Sequence, residues 1–259
     1  MFFTDSHAHL TLDAFDADRE EVILRARDAG LRYLCTIGSL ARDAAEAATL
    51  AGKHEFIYFT AGLHPHDARL WDETSAVRLE SAAANLRLLA IGEIGLDYHY
   101  DHSPRDRQRE AFREQIRLAR RLGLPVVIHT REAHDDTLRI LEEERAAEVG
   151  GIFHCFSGSG EMARFATGLG FRISFSGSLT FKNAGDLREV AAAIPLHLLL
   201  TETDAPFLSP HPHRGKRNEP VRVMEVVTCL AELHRISPDA MGEQTTRNFE
   251  STFPRLRAS

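Results

Sequence analysis

Short apolar runs alternate along the chain with longer stretches in which apolar positions recur every three or four residues and charged residues fill the gaps. The first kind reads as buried strands, the second as amphipathic helices, and their alternation is the rhythm of repeated β-α units around a parallel sheet. Eight strands are predicted, at 2–5, 33–37, 56–61, 88–91, 126–128, 151–153, 171–175 and 198–201. The clearest helix runs through Phe112, Ile116, Ala119 and Leu122, with Arg and Glu on its other face. Gly123-Leu124-Pro125 ends it and opens the next strand. Two more helices are expected after the eighth strand, at 220–234 and 238–248, one completing the last unit and one capping it. There is no linker, low-complexity tract or repeat beyond the β-α unit. The pattern therefore predicts a single domain over 1–259 of the α/β class, a (β/α)8 TIM barrel.

Composition narrows the function. The chain has 259 residues, 43% hydrophobic and 27% charged, enough for a large core. Its formal net charge of -7 argues against broad electrostatic binding of long nucleic acid, so any phosphate recognition must be local. Metal ions could supply that local charge, as could the basic run Arg214-Gly215-Lys216-Arg217 in the irregular loop 206–220, which is long enough to suggest a role. The three cysteines, Cys35, Cys155 and Cys229, are scattered and suggest neither a disulfide framework nor a thiolate metal site. That usage, with no signal segment and no apolar run long enough to span a bilayer, leads to the expectation of a cytoplasmic protein without a membrane anchor or an obligate protein partner.

A barrel of this kind carries its active site at the C-terminal ends of its strands. The first predicted strand runs into Asp5, His7 and His9, and side-chain alternation projects the two histidines the same way. The third runs into Gly62-Leu63-His64-Pro65-His66, the fourth into Gly92-Glu93-Ile94-Gly95-Leu96-Asp97, and the fifth into His129-Thr130-Arg131-Glu132. The sixth runs into His154-Cys155-Phe156-Ser157-Gly158 and the eighth into Thr201-Glu202-Thr203-Asp204-Ala205-Pro206. Each alone has an ordinary explanation: a buried imidazole, a helix cap, a turn carboxylate. Together, four histidines and two carboxylates at one end of five strands point to a metal centre. Cys155, turned away from His154 by strand alternation, reads as packing, and Asp5 and Asp97 as turn or supporting residues.

At these residues the chain resembles the TatD-type metal-dependent deoxyribonucleases. The likeness takes in Asp-Ser-His-Ala-His-Leu at 5–10, Gly-Leu-His-Pro at 62–65, Gly-Glu-Ile-Gly-Leu-Asp-Tyr at 92–98 and Pro-Val-Val-Ile-His-Thr-Arg at 125–131. It continues in His-Cys-Phe-Ser-Gly at 154–158, Thr-Glu-Thr-Asp-Ala-Pro at 201–206 and Arg-Asn-Glu-Pro at 217–220. The resemblance implies a barrel of the metal-dependent hydrolase type that binds two divalent metal ions. His7, His9, Glu93 and Asp204 would surround one, and Glu93 would bridge to a second completed by His129 and His154. It also implies DNA as substrate, cut from single-stranded 3' ends by 3'-5' exonuclease action.

Nitrogen and oxygen donors without thiolate suit zinc, manganese, magnesium or nickel. Two dications about 3.5 to 4 Å apart can activate a shared hydroxide and bind both oxygens of a phosphodiester displacement. Less Glu93, Asp204 and that hydroxide, they leave a charge of about +1 for an anionic substrate. On this reading Glu93 bridges, Asp204 orients the nucleophile and takes its proton, and His64 and Arg131 contact phosphate oxygens. Glu202 supports the site, helps bind a further ion or contacts substrate, and Arg214, Lys216 and Arg217 line the path of a single strand. Three rivals remain. Cyclic-amide hydrolysis on a lysine-bridged centre is disfavoured because Lys53, Lys182 and Lys216 lie at no suitable strand end. Ester hydrolysis on D-aminoacyl-tRNA would suit the same centre, and a catalytically silent binding protein would not need an open coordination position.

Overall fold

The computed structural model describes residues 2–257, so residues 1, 258 and 259 of the expected domain lie outside the described residues. The strands are β1 (Phe3–Ala8), β2 (Leu31–Ser39), β3 (Ile57–Gly62), β4 (Leu88–Asp97), β5 (Val126–Arg131), β6 (Gly151–Phe153), β7 (Phe171–Phe175) and β8 (Leu199–Thr201). They pair in chain order and in parallel. The intervening helices are α1 (Arg19–Asp28), α2 (Ala44–Lys53), α3 (Glu73–Ala83), α4 (Arg105–Leu122), α5 (His134–Glu143), α6 (Gly160–Gly168) and α7 (Gly185–Ala193). After β8 come α8 (Val223–His234) and α9 (Pro238–Thr252). This is the expected (β/α)8 barrel with one extra helix.

The seam between β8 and β1 closes just beyond the short β8. Asp204 N donates to His7 O at 2.9 Å and His9 N to Ala205 O at 2.7 Å. Below them the buried Asp5 carboxylate accepts from Thr203 N at 2.9 Å and Thr203 Oγ1 at 2.5 Å. The acidic residue of the first motif thus clamps the two ends of the barrel wall together.

β4 is longer than its apolar run suggested, extending through Gly92-Glu93-Ile94-Gly95 to Asp97. Its glycines explain this. Gly95 has φ +142, and a Cβ there would lie 1.9 Å from His129 O; one on Gly92 would lie 2.6 Å from Val127 Cβ. Only a bare backbone lets β4 press this closely against β5, bringing Glu93 beside His129. Two buried glutamines of α4, seven positions apart on one face, fasten the strand ends outside. Gln108 bonds both backbone groups of Asp97, and Gln115 both of Leu63.

Two apolar clusters result. The larger lies between strands and helices, with Phe3, Phe59, Phe112, Ile116 and Val226 among its members. The smaller fills the barrel with Cys35, Ile37, Leu89, Val127, Ile152 and Leu200, and it is completed by Phe249 of α9 and by Phe253, the residue that caps that helix. α9 therefore plugs the N-terminal mouth, which keeps the opposite mouth for chemistry. No described helix is long and apolar enough to cross a membrane. Phe249→Ala is expected to cost about 3–5 kcal/mol in chemical denaturation, against less than ~0.5 kcal/mol for the exposed Leu86→Ala. Equal losses would show that α9 is no plug.

Candidate metal centre

The side chains predicted from the strand ends converge at the C-terminal mouth. Nε2 of His7 and Nε2 of His9 lie 3.3 Å apart, although β1 is irregular between Asp5 and Ala8 and His9 lies just past its end. Asp204 Oδ1 is 3.8 Å from His7 Nε2 and 3.2 Å from His9 Nε2, while Glu93 Oε2 is 3.4 Å and 4.0 Å from the same two nitrogens. The other Glu93 oxygen, Oε1, faces a second set. It lies 2.9 Å from His129 Nδ1, 2.8 Å from His154 Nε2 and 3.3 Å from His64 Nε2, with 3.4 Å between His129 Nδ1 and His154 Nε2. Donors around a four-coordinate cation with bonds of about 2.0–2.1 Å stand about 3.4 Å apart, so these separations fit an ion in each set.

Neighbouring groups aim the rings. Asp97 Oδ2 lies 3.0 Å from His129 Nε2 and 3.1 Å from His66 Nε2, and Asp97 Oδ1 accepts from the backbone of His99 and Tyr100. With the proton of His129 on Nε2, its Nδ1 lone pair is turned to Glu93 and the centre. His64 is set the opposite way. Its Nδ1 accepts from His66 N, which leaves the Nε2 proton pointing at Glu93 Oε1 and makes His64 a donor to an anion.

His7 and His154 stack face to face, with centroids 3.9 Å apart. Buried His7 Nδ1 has no hydrogen-bond partner, and His154 Nδ1, though 3.3 Å from Glu202 Oε1, is off the line of one. Strained backbone carries two neighbours, since Cys155 and Asp204 both adopt left-handed conformations at φ 43 and φ 56.

Burial lowers His7 to a pKa of about 4, assisted by the charge of His154. Burial likewise brings His64 down to about 4, outweighing the pull of Glu93. For His9, desolvation is overcome by the hydrogen bond and charge of Asp204, and the pKa rises. His129 also rises against its desolvation, through Asp97 and Glu93, and His154 rises well above the ordinary imidazole value through Glu93 and Glu202. Glu93, despite its burial, is held well below the carboxylate range by His154, His64 and His129. Protons thus occupy the places that cations would take.

Above the donors opens a cavity of ≈ 970 Å³ lined by Arg42, Arg69 and Arg131 as well as by His9, His64, Glu93, His129, His154 and Asp204. Arg131 stands where a phosphate contact was expected. Arg42 and Arg69, in the loops after β2 and β3, were missed because they belong to no motif and lie three and seven residues past their strands.

Other expectations are corrected. Glu202 is fully buried, accepts from Cys155 N at 2.6 Å and from Ser6 Oγ at 3.4 Å, and lies outside the cavity lining; with His7 and His154 it forms a group of donors that could hold an ion. Arg217 makes two hydrogen bonds of 2.7 Å to Asp18 and lies over Phe15, and Arg214 lies 3.7 Å over the Phe181 ring. Neither of these, nor Lys216, lines the cavity. Cys155 does line it, because β6 ends at Phe153 and the left-handed turn at Cys155 interrupts the alternation.

Protons and cations compete for the same nitrogens, and raised values at His9, His129 and His154 extend that competition upward from the imidazole range. Zinc affinity measured by calorimetry is therefore expected to rise between about pH 6 and 8, by up to about tenfold per pH unit for each proton displaced. A pH-independent affinity would mean that zinc binds elsewhere.

A profile of the family described as TatD related DNase matches residues 4–254. The chain is 44% identical over 249 residues to an uncharacterized metal-dependent hydrolase, YabD, of Bacillus subtilis strain 168, covering 96% of this chain and 98% of that one. It is 38% identical over 255 residues to the 3'-5' ssDNA/RNA exonuclease TatD of Pantoea sp. strain At-9b, covering 96% and 98%. The crystal structure of YjjV, a TatD homolog from Escherichia coli K12, superposes with a TM-score of 0.91 at 32% identity over 97% of both chains. The protein belongs to the TatD related DNase family and is a metal-dependent hydrolase.

Proposed function

We propose that the protein hydrolyses phosphodiester bonds, removing nucleotides from the 3' ends of single-stranded DNA with two divalent cations held by His7, His9, Glu93, Asp204, His129 and His154. One observation carries this reading: the two oxygens of Glu93 face separate donor sets, Oε2 toward His7 and His9 and Oε1 toward His129 and His154. A single-cation site has no use for that division. Zinc, manganese, magnesium and nickel all accept such donors. Bound dications would neutralise phosphate charge and lower the pKa of water.

The chain's own groups do the rest. Asp204, at the cavity wall beside His9, would take the proton of the attacking water as its oxygen bonds to phosphorus, and the proton would pass to the sugar oxygen whose bond to phosphorus breaks. His64, whose Nε2 proton faces Glu93 Oε1 in this structure, would turn that proton to a non-bridging phosphate oxygen when substrate enters, and the guanidinium of Arg131 would approach the phosphate from the rim. Asp97 and Glu202 hold His129 and His154 in position from behind. The centre lies at the base of the cavity, with His7 fully buried and Glu93 nearly so. A chain end or a flexible single strand is the form of nucleic acid suited to such a recessed centre. The exonuclease name of the Pantoea relative supports the same substrate.

Chelation of the purified protein is expected to abolish release of nucleotides from a 3'-labelled single-stranded oligonucleotide, and added zinc or manganese to restore it. Glu93→Gln is expected to lower kcat by at least about 10²-fold, with retained thermal stability as the control. Undiminished nuclease activity in Glu93→Gln would overturn the bridging role. Hydrolysis of D-aminoacyl-tRNA by a preparation that leaves the oligonucleotide intact would move the function to ester cleavage.

A further inference from the structure

The outer wall of the cavity carries flat, exposed side chains for which neither the barrel nor the donor sets account. In the loop between β4 and α4, Tyr100 is 49% exposed and lies parallel to His102, with centroids 5.4 Å apart and planes 4° from coplanar. The Arg131 guanidinium lies 4.8 Å over the Tyr100 ring. His66 stands edge-on to both rings, at 5.5 Å from Tyr100 and 4.6 Å from His102. Beyond the first donor set, Phe207 is 52% exposed, its ring edge-on to His9 at 5.8 Å.

Exposed aromatics on a loop usually reorient freely, yet this loop is built to hold them. Asp97 Oδ1 accepts from Tyr100 N at 2.9 Å and from His99 N at 3.1 Å. Ser103 Oγ, fully buried, donates to His66 O at 2.7 Å, and Gln108, also fully buried, donates to Ser103 O at 2.9 Å. The same Asp97 reaches His129 through its other oxygen, so the Tyr100 wall is fixed relative to the donor centre by one side chain. Arg42 and Arg69 extend the positive rim beside Arg131.

From this the geometry points to two nucleobase-stacking positions flanking the reactive phosphate, one on the Tyr100–His102 wall and one on Phe207. The inference rests on the phosphodiesterase reading and specifies how that substrate is gripped. An exposed ring with a guanidinium over it is a platform that binds unpaired nucleic acid: the guanidinium–ring stack takes the face of a base, whichever base it is, and the guanidinium edge takes the adjacent phosphate. Bases in a duplex present their faces only to one another, so the two positions select single strands without selecting sequence. They also let an acidic protein bind a polyanion with few arginines, because part of the binding free energy is stacking and insensitive to salt.

The experiment compares Tyr100→Ala, Tyr100→Phe and Phe207→Ala in the metal-loaded full chain. The substrates are a single-stranded oligothymidylate and the same chain with abasic residues at its last positions. Tyr100→Ala and Phe207→Ala are each expected to raise KM on oligothymidylate at least roughly fivefold, with kcat within about twofold of the wild type. Neither is expected to change KM on the abasic chain, and Tyr100→Phe is expected to behave as the wild type on both. An equal KM increase on the two substrates, or none on either, would overturn the stacking assignment. Should the wild type cleave neither substrate, the phosphodiesterase reading falls by itself. Fluorescence anisotropy of the labelled oligothymidylate and its abasic counterpart then decides the stacking question, by whether Tyr100→Ala weakens only the former.

Discussion

A single buried carboxylate surrounded by imidazoles organises this protein. Glu93 is largely buried at the base of the cavity, and an isolated charge there would be costly. It is tolerable because His154, His64 and His129 surround one of its oxygens while His7 and His9 approach the other. Three of those rings, His129, His9 and His154, in turn face Asp97, Asp204 and Glu202, so carboxylates and imidazoles alternate outward from Glu93. Such an arrangement balances only when the number of protons and cations in it is right, which couples metal binding to pH in any cluster of this kind.

The rest of the fold keeps that alternation in register. Bare backbone at Gly95 lets β4 lie against β5, and buried Asp5 binds Thr203 across the barrel seam so that Asp204 arrives beside His9. Left-handed backbone at Cys155 and Asp204 is a cost borne at the site and offset by packing elsewhere, including the α9 plug with Phe249 and Phe253. Stability concentrated at one end of the barrel permits strain and charge at the other.

Surface electrostatics follow a related division. The chain is acidic, yet three exposed arginines stand around one mouth. Arginines elsewhere are largely neutralised by partners, as Arg217 is by Asp18 and Arg117 by Glu144. Long-range attraction of a polyanion is therefore weak, and the uncompensated positive charge is concentrated at that mouth.

The positions of the strands, the face on which His7 and His9 meet, and the residues that gather at the mouth were legible along the chain. They depend on local periodicity and on the rule that a parallel barrel collects its strand ends at one place. Sequence could not reveal which oxygen of Glu93 serves which histidines, that Asp97 aims His129, or that Glu202 lies beneath His154 rather than before the substrate. Nor could it reveal that Arg217 is engaged by Asp18, a residue 199 positions earlier, or that the turn after Phe153 swings Cys155 into the cavity. In each case the deciding partner is distant in the chain or the local backbone departs from its regular period. A charge's role depends on which partner reaches it first, and only the folded chain decides that.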